Sequence, residues 1–253
     1  MGDVLKGRGC AWEFEDGGLC ITPEPGKASK LSMELGERFV PYDALADVML
    51  EPGARGRVVL RVVPREGADP VMSAATGQLQ ESLDPYRLVL PAATKTLADQ
   101  YADEMRAALS ERGPAERFLI AGPSVPRSFK AWDGEAAFDG QTVTFTWFSS
   151  GASPAKYTAG DRRYPIAEIE GVEWHALEDA RGSLRLRIRG HQALSNPNND
   201  PASVVFGIGW GATHHSLPFA AAVLAATQAP TGTGRTSPGT NELRTSQRSP
   251  PGT

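Results

Sequence analysis

Cysteine is scarce in this chain: 253 residues contain two, Cys10 and Cys20. Two thiols cannot supply the disulfide framework of a small secreted domain, so the fold must hold by burial. The pair could meet across a hairpin, but two reduced, half-buried thiols are the expected state. Long apolar runs are also missing. The longest small-apolar stretch is FAAAVLAA at 219–226, far short of the ~18–20 residues a membrane span needs. The N-terminal stretch has no apolar segment of the kind a signal peptide carries, and Lys6 stands where a myristoylation signal needs Ser or Thr. The expected location is cytoplasmic. Positive charge is not in excess either. The net charge is −4 and neither half of the chain is basic, which removes the phosphate attraction behind nucleic-acid binding.

Catalytic and cofactor signatures are missing too. The four histidines, His175, His191, His214 and His215, show neither HExxH nor Cys/His metal spacing. FGIGWG (206–211) is glycine-rich but lacks GxGxxG and GK[ST], and reads as a flexible turn into a helix. No GxSxG occurs, and no pair of acids stands out as general acid and base. No catalytic, cofactor-binding or metal-binding residue is therefore assigned, and no enzyme is expected. The five tryptophans, Trp12, Trp132, Trp147, Trp174 and Trp210, read as strand residues filling cores.

What the chain does contain is a repeat. GERFVPYDALADV (36–48) reappears as GDRRYPIAEIEGV (160–172). Sliding the sequence onto itself sets Phe14 on Phe138, Thr22 on Thr146, Pro41 on Pro165 and Val48 on Val172 without a gap. A two-residue insertion is then expected, so that GRVVLRV (56–62) meets GSLRLRI (182–188), and Asp84-Pro85 echoes Asp200-Pro201. A period this long describes a duplicated domain rather than a solenoid unit. The boundaries are repeat 1 at 3–113, a linker at 114–128, repeat 2 at 129–228 and a disordered tail at 229–253, rich in Thr, Ser, Gly and Pro. RFLIA (117–121) inside the linker is apolar enough to pack against something.

Each repeat opens with strand signals around Asp-Gly turns, at 10–22 and 136–147. The alternation in SLRLRIR (183–189) marks a strand with one buried face. Each closes with a helical segment. In the first, Leu97, Tyr101, Met105 and Ala108 form the stripe, Thr96 with Asp99 the capping box, and Gly113 the stop. In the second, Ser216 caps, and Phe219, Val223 and Ala226 form the stripe.

This order of elements, with VPYDALADV and YPIAEIEGV each leading into a strand, resembles tandem bacterial pleckstrin-homology-like (PH-like) domains. More narrowly it is similar to an actinobacterial family of unknown function that carries the module twice. The resemblance implies a mainly β fold with two C-terminal helices: two tandem β-sandwiches or partly open barrels, each capped by one helix. It implies no catalytic residues.

Two sets of basic residues bear on partners. Arg185, Arg187 and Arg189, with Arg57 and Arg61 in the first copy, offer a candidate surface for an acidic partner. Lys27, Lys30, Lys156, Arg162 and Arg163 lie in or after the long loops. Arg38 and Arg162 are expected to serve one repeated role beside Glu37 and Asp161. Glu13, Glu15, Asp16 and Asp139 occupy what reads as the first hairpin and would repel a phosphorylated headgroup, so phosphoinositide binding is not expected. The expected function is a non-catalytic interaction or scaffold protein contacting a protein or peptide by strand addition. The alternative is a regulator responsive to a small molecule or anion, with its pocket between the modules.

Overall fold

The computed structural model describes residues 3–178 and 181–229. The first copy begins with β1 (Asp3–Lys6), β2 (Cys10–Glu15), β3 (Gly18–Pro23), α1 (Lys30–Leu35) and β4 (Arg38–Pro41). Its strands form one antiparallel sheet in the order β1-β2-β3-β4. A single turn of 3-10 helix, Tyr42–Ala44, leads into a second sheet of β5 (Leu45–Pro52), β6 (Val58–Pro64) and β7 (Arg87–Leu90). Helix α2 (Pro70–Ala75) lies between β6 and β7, and α3 (Lys95–Ala108) closes the unit. The second copy runs β8 (Arg127–Lys130), β9 (Gly134–Phe138), β10 (Thr142–Trp147), α4 (Pro154–Ala159), β11 (Arg162–Pro165), β12 (Ile169–Glu178), β13 (Arg181–Ile188), β14 (Ser203–Phe206) and α5 (Thr213–Gln228). It too forms a four-stranded and a three-stranded sheet, and among the described residues no sheet mixes strands from the two copies. The described residues are thus mainly β, with four small antiparallel sheets and five α-helices.

The repeat is more regular than its sequence suggests. The same spacing that sets Phe14 on Phe138 holds without a gap from Asp3–Pro64 to Arg127–Ile188. In the first copy Leu45 pairs with Pro64, Val48 with Val62 and Leu50 with Leu60. In the second Ile169 pairs with Ile188, Val172 with Leu186 and Trp174 with Leu184. Both ladders carry an irregularity directly after the first of these pairs. The expected two-residue insertion is therefore not there: Leu60 answers to Leu184, and Arg61 to Arg185. A shift of two residues leaves every strand side chain on its own face, so alternation alone cannot expose it. The true length difference falls later, where α2 has no counterpart in the second copy.

β1 and β8 also revise the hairpin count. The acidic Asp16-Gly17 turn joins the second and third strands. The first hairpin turns at Gly7-Arg8-Gly9 in one copy and Ala131-Trp132-Asp133 in the other. Asp16 thus lies in the second turn, while Glu13 stands on β2 within the first hairpin, paired with Val4.

The helix ends differ as well. α3 starts at Lys95, so Thr96 and Asp99 lie within it and form no capping box, and it stops at Ala108, ahead of Gly113. Its buried stripe is Ala98, Tyr101, Ala102 and Met105, while Leu97 stays 42% exposed. α5 starts before Ser216, whose buried hydroxyl donates back to Gly211 O (3.0 Å) and accepts from Trp174 Nε1 (3.0 Å) rather than capping.

α5 is where the two copies become one body. Every residue from Ser216 to Val223 is buried, which no single stripe allows: a helix buried along consecutive residues is covered on all sides. One side packs on β12 and β8 of its own module, the other on α1 and α2 of the first. One continuous core therefore joins Leu31, Leu35, Val71 and Ala74 to Phe129, Trp174 and Phe219. The small alanines permit this close approach; a Cβ added at Gly122 would sit 2.5 Å from the Ala225 Cβ. The first module keeps its own core around Trp12, Leu19, Tyr86 and Tyr101. Beside α2, the Gln78 amide donates to Trp174 O (2.9 Å) and accepts from Ala176 N (3.0 Å), closing that edge of β12. The linker is packed too: Ile120 is buried, and the Leu119 and Ile120 N–H groups both donate to Ala68 O. The expected tail, apart from Ala229, lies outside the described residues.

A shared core makes unfolding a joint event. Urea unfolding should show one transition with coincident midpoints for the surroundings of Trp12 and Trp174. Ala74→Asp, which buries an unpaired carboxylate against α5, should cost more than ~3 kcal/mol on both probes.

Candidate functional site

The buried charges fix the walls from which any site is built. Arg38 is 7% exposed. Its Nη2 donates to Asp69 Oδ1 at 2.7 Å and to the Tyr86 hydroxyl at 3.0 Å, and that hydroxyl donates to Asp69 Oδ2 at 2.7 Å. Burial holds the Tyr86 phenol well above its ordinary pKa, so it stays a donor. Asp69 also accepts from Val71 N and Met72 N, which caps α2. Arg162 is exposed, so the role expected to be shared with Arg38 is not shared. The second copy lacks α2, and with it the aspartate.

Lys156 is likewise corrected. It was expected on the surface with Lys27 and Arg163, yet it is fully buried. Its ammonium lies 2.5 Å from Asp133 Oδ2 and 4.9 Å from the centre of the Trp147 ring. Asp133 Oδ1 accepts from Val205 N at 2.9 Å. Burial pulls the Lys156 pKa down, and the Asp133 charge opposes that.

The five candidate arginines do not form one free row. Arg61 is held by Asp84 (Nε–Oδ2 3.2 Å), and its counterpart Arg185 by Asp200 (Nε–Oδ2 3.3 Å). Each therefore fastens its strand to the repeated Asp-Pro. Arg57, Arg187 and Arg189 are exposed. Arg189 faces Glu170 at 3.4 Å, and Arg187 lies over Gly171. Cys10 pairs with Pro23 and Cys20 with Glu13, so the two free thiols do not meet.

The surface opens at one end of the second module. A cleft of about 790 Å³ is lined by Trp132, His175, Pro197, Val205, Phe206 and Ile208, among others. Trp132 stands in the β8–β9 turn, 53% exposed, and Ile208 is 80% exposed. FGIGWG makes this display possible. Gly207 and Trp210 bridge each other, Gly209 and Gly211 take positive φ, and the tight turn lifts Ile208 and Trp210 into solvent. The expectation that all five tryptophans fill cores fails for these two. The glycine spacing in FGIGWG sets Ile208 and Trp210 apart, while nothing next to Trp132 in the sequence does so. His175 also lines the cleft. Among the described residues no His, Cys, Asp and Glu side chains gather into a metal-binding group.

The family model described as Domain of unknown function (DUF4429) matches residues 12–106 and again 136–224. The chain belongs to that family. Its two matched segments fall inside the two structural copies, one in each, running from β2 into α3 and from β9 into α5. No curated protein matches the chain.

Two outcomes follow for the buried groups. Asp133→Ala leaves Lys156 charged without its partner and should cost about 3–5 kcal/mol in urea denaturation, whereas Lys156→Met with Asp133→Leu should restore most of it. Burial raises the Cys10 thiol to about 11, so at pH 8 only about one molecule in a thousand is thiolate. Iodoacetamide labelling of Cys10 should be slow in the folded chain, and its rate should climb about tenfold per pH unit between pH 8 and 10.

Proposed function

We propose that the chain is a non-catalytic interaction protein, built of two PH-like modules, whose second module seats an extended peptide by a bulky apolar side chain. The PH-like reading is supported by the four-plus-three strand order with a closing helix in each copy. The peptide reading is carried by one observation: Trp132 and Ile208 stand exposed together in the lining of an apolar cleft, an arrangement a solitary surface seldom tolerates. Asn196 and Asn198 beside it offer polar groups to a peptide backbone.

Strand addition has less support than the cleft. Gln78 closes part of the β12 edge, Arg106 Nε donates to Val48 O on β5, and Trp132 N donates to Val205 O on β14. A pocket between the modules also has little support, because α1, α2 and α5 fill that boundary with side chains.

Selection of a random peptide library against the full chain should enrich sequences sharing one large apolar anchor. Ile208→Asp and Trp132→Ala should each weaken the recovered peptides by at least tenfold, with melting temperature unchanged. Enrichment of peptides that bind both variants as well as the wild type would overturn the reading.

A further inference from the structure

The two modules differ in how they fill one place that the repeat sets in register. In the second, the space between the β8–β9 turn, the end of β10 and α4 is filled from within: Lys156 reaches Asp133 beneath Trp147, and Asp133 takes the Val205 N–H. At the matching positions the first module carries Ser32, Gly9 and Pro23. The space those side chains would fill is an open cleft of about 430 Å³, walled by Gly9, Pro23, Ser32, Arg38, Arg87 and Val89 among others.

The backbone beside that cleft follows the backbone beside the filled one. Arg8 N donates to Val89 O at 2.9 Å, just as Trp132 N donates to Val205 O at 2.9 Å. Val62 N donates to Tyr86 O, which places Val89 at a position of the β6–β7 ladder whose N–H turns away from β6. Val205 N finds the Asp133 carboxylate there; at the position of Asp133 the first module has Gly9, which has no side chain to offer Val89 N. Arg38 and Arg87 both line the cleft, and among the described residues the Nε of each has no hydrogen-bond partner, Arg38 on a side chain more than nine-tenths buried. The acids of the cleft are already engaged, Glu81 by Arg87 and Asp84 by Arg61. What the first module lacks is an acceptor with the shape of the Asp133 side-chain terminus.

We propose that the cleft of the first module binds a small organic carboxylate, which takes the place that Asp133 fills covalently in the second module. The second module is self-occupied and binds none. This site is separate from the peptide cleft and stands or falls without it.

The test is a ¹⁵N NMR titration of the full chain with sodium succinate and sodium acetate at constant ionic strength, with sodium phosphate as the comparison anion. Saturable shifts are expected at the amides of Gly9 and Val89 and at Arg38 Nε–H, with Asp133 and Val205 unmoved. Arg87→Met should weaken succinate binding at least tenfold. Ser32→Lys, which imports the ammonium that Lys156 provides in the other copy, should tighten it at least fivefold. In a second measurement, acetate should raise the melting temperature of Asp133→Gly, whose slot has been emptied, by several degrees more than that of the wild type. No saturation below about 10 mM by either carboxylate, an equal or stronger response to phosphate at the same amides, or failure of acetate to rescue Asp133→Gly would each overturn the proposal.

Discussion

The burial of α5 on every side governs the rest of the molecule. A pair of small sheets with open ends needs a helix to cover them, and α3 does this for the first module with an ordinary amphipathic stripe, its far side wet. α5 covers the second module too, but it leaves no polar face, and a helix apolar all round is stable only when other protein meets its back. That protein is α1 and α2 of the first module. The alanines at 220–222, all buried, bring the helices close enough to exclude water. The tandem arrangement is therefore a single packed body with a fixed orientation, and surfaces on the two modules keep a fixed distance from each other.

The asymmetry comes from one short segment. α2 exists only in the first copy, and it does two jobs. Its outer residues Val71 and Ala74 receive α5, while its cap, Asp69, anchors Arg38 and Tyr86. The second copy keeps α4, the counterpart of α1, but without α2 and its aspartate it has nothing to bury Arg162.

Much of this was legible in the residues. The repeated thirteen-residue stretch, the Asp-Gly turns and the alternation at 183–189 gave the duplication and most strands. The Leu-Arg alternation also concealed the two-residue slip between Arg61 and Arg187, because a period of two looks the same after any even shift. α1, α2 and α4 are six residues each, too short to develop a helical period. Lys156 could not be told from a surface lysine, since only the fold brings Asp133 to it, and Trp132 and Trp210 follow the same composition rules as the buried tryptophans. The site residues that matter were set by neighbours far along the chain.

The contrast between the filled and open clefts is held in place by backbone geometry as well as by side chains. Gly9 has φ +81°, and a Cβ there would lie 2.9 Å from Lys27 O, whereas Asp133 at the matching position avoids positive φ. An aspartate cannot simply replace Gly9 without moving the loop that carries Lys27. A lysine at Ser32 would gain no built-in carboxylate, and a buried ammonium without one is costly. The filled state therefore needs two side chains and a loop change together, and no single substitution converts the open cleft into it. The first module remains open because each step toward closing it, taken alone, is unfavourable.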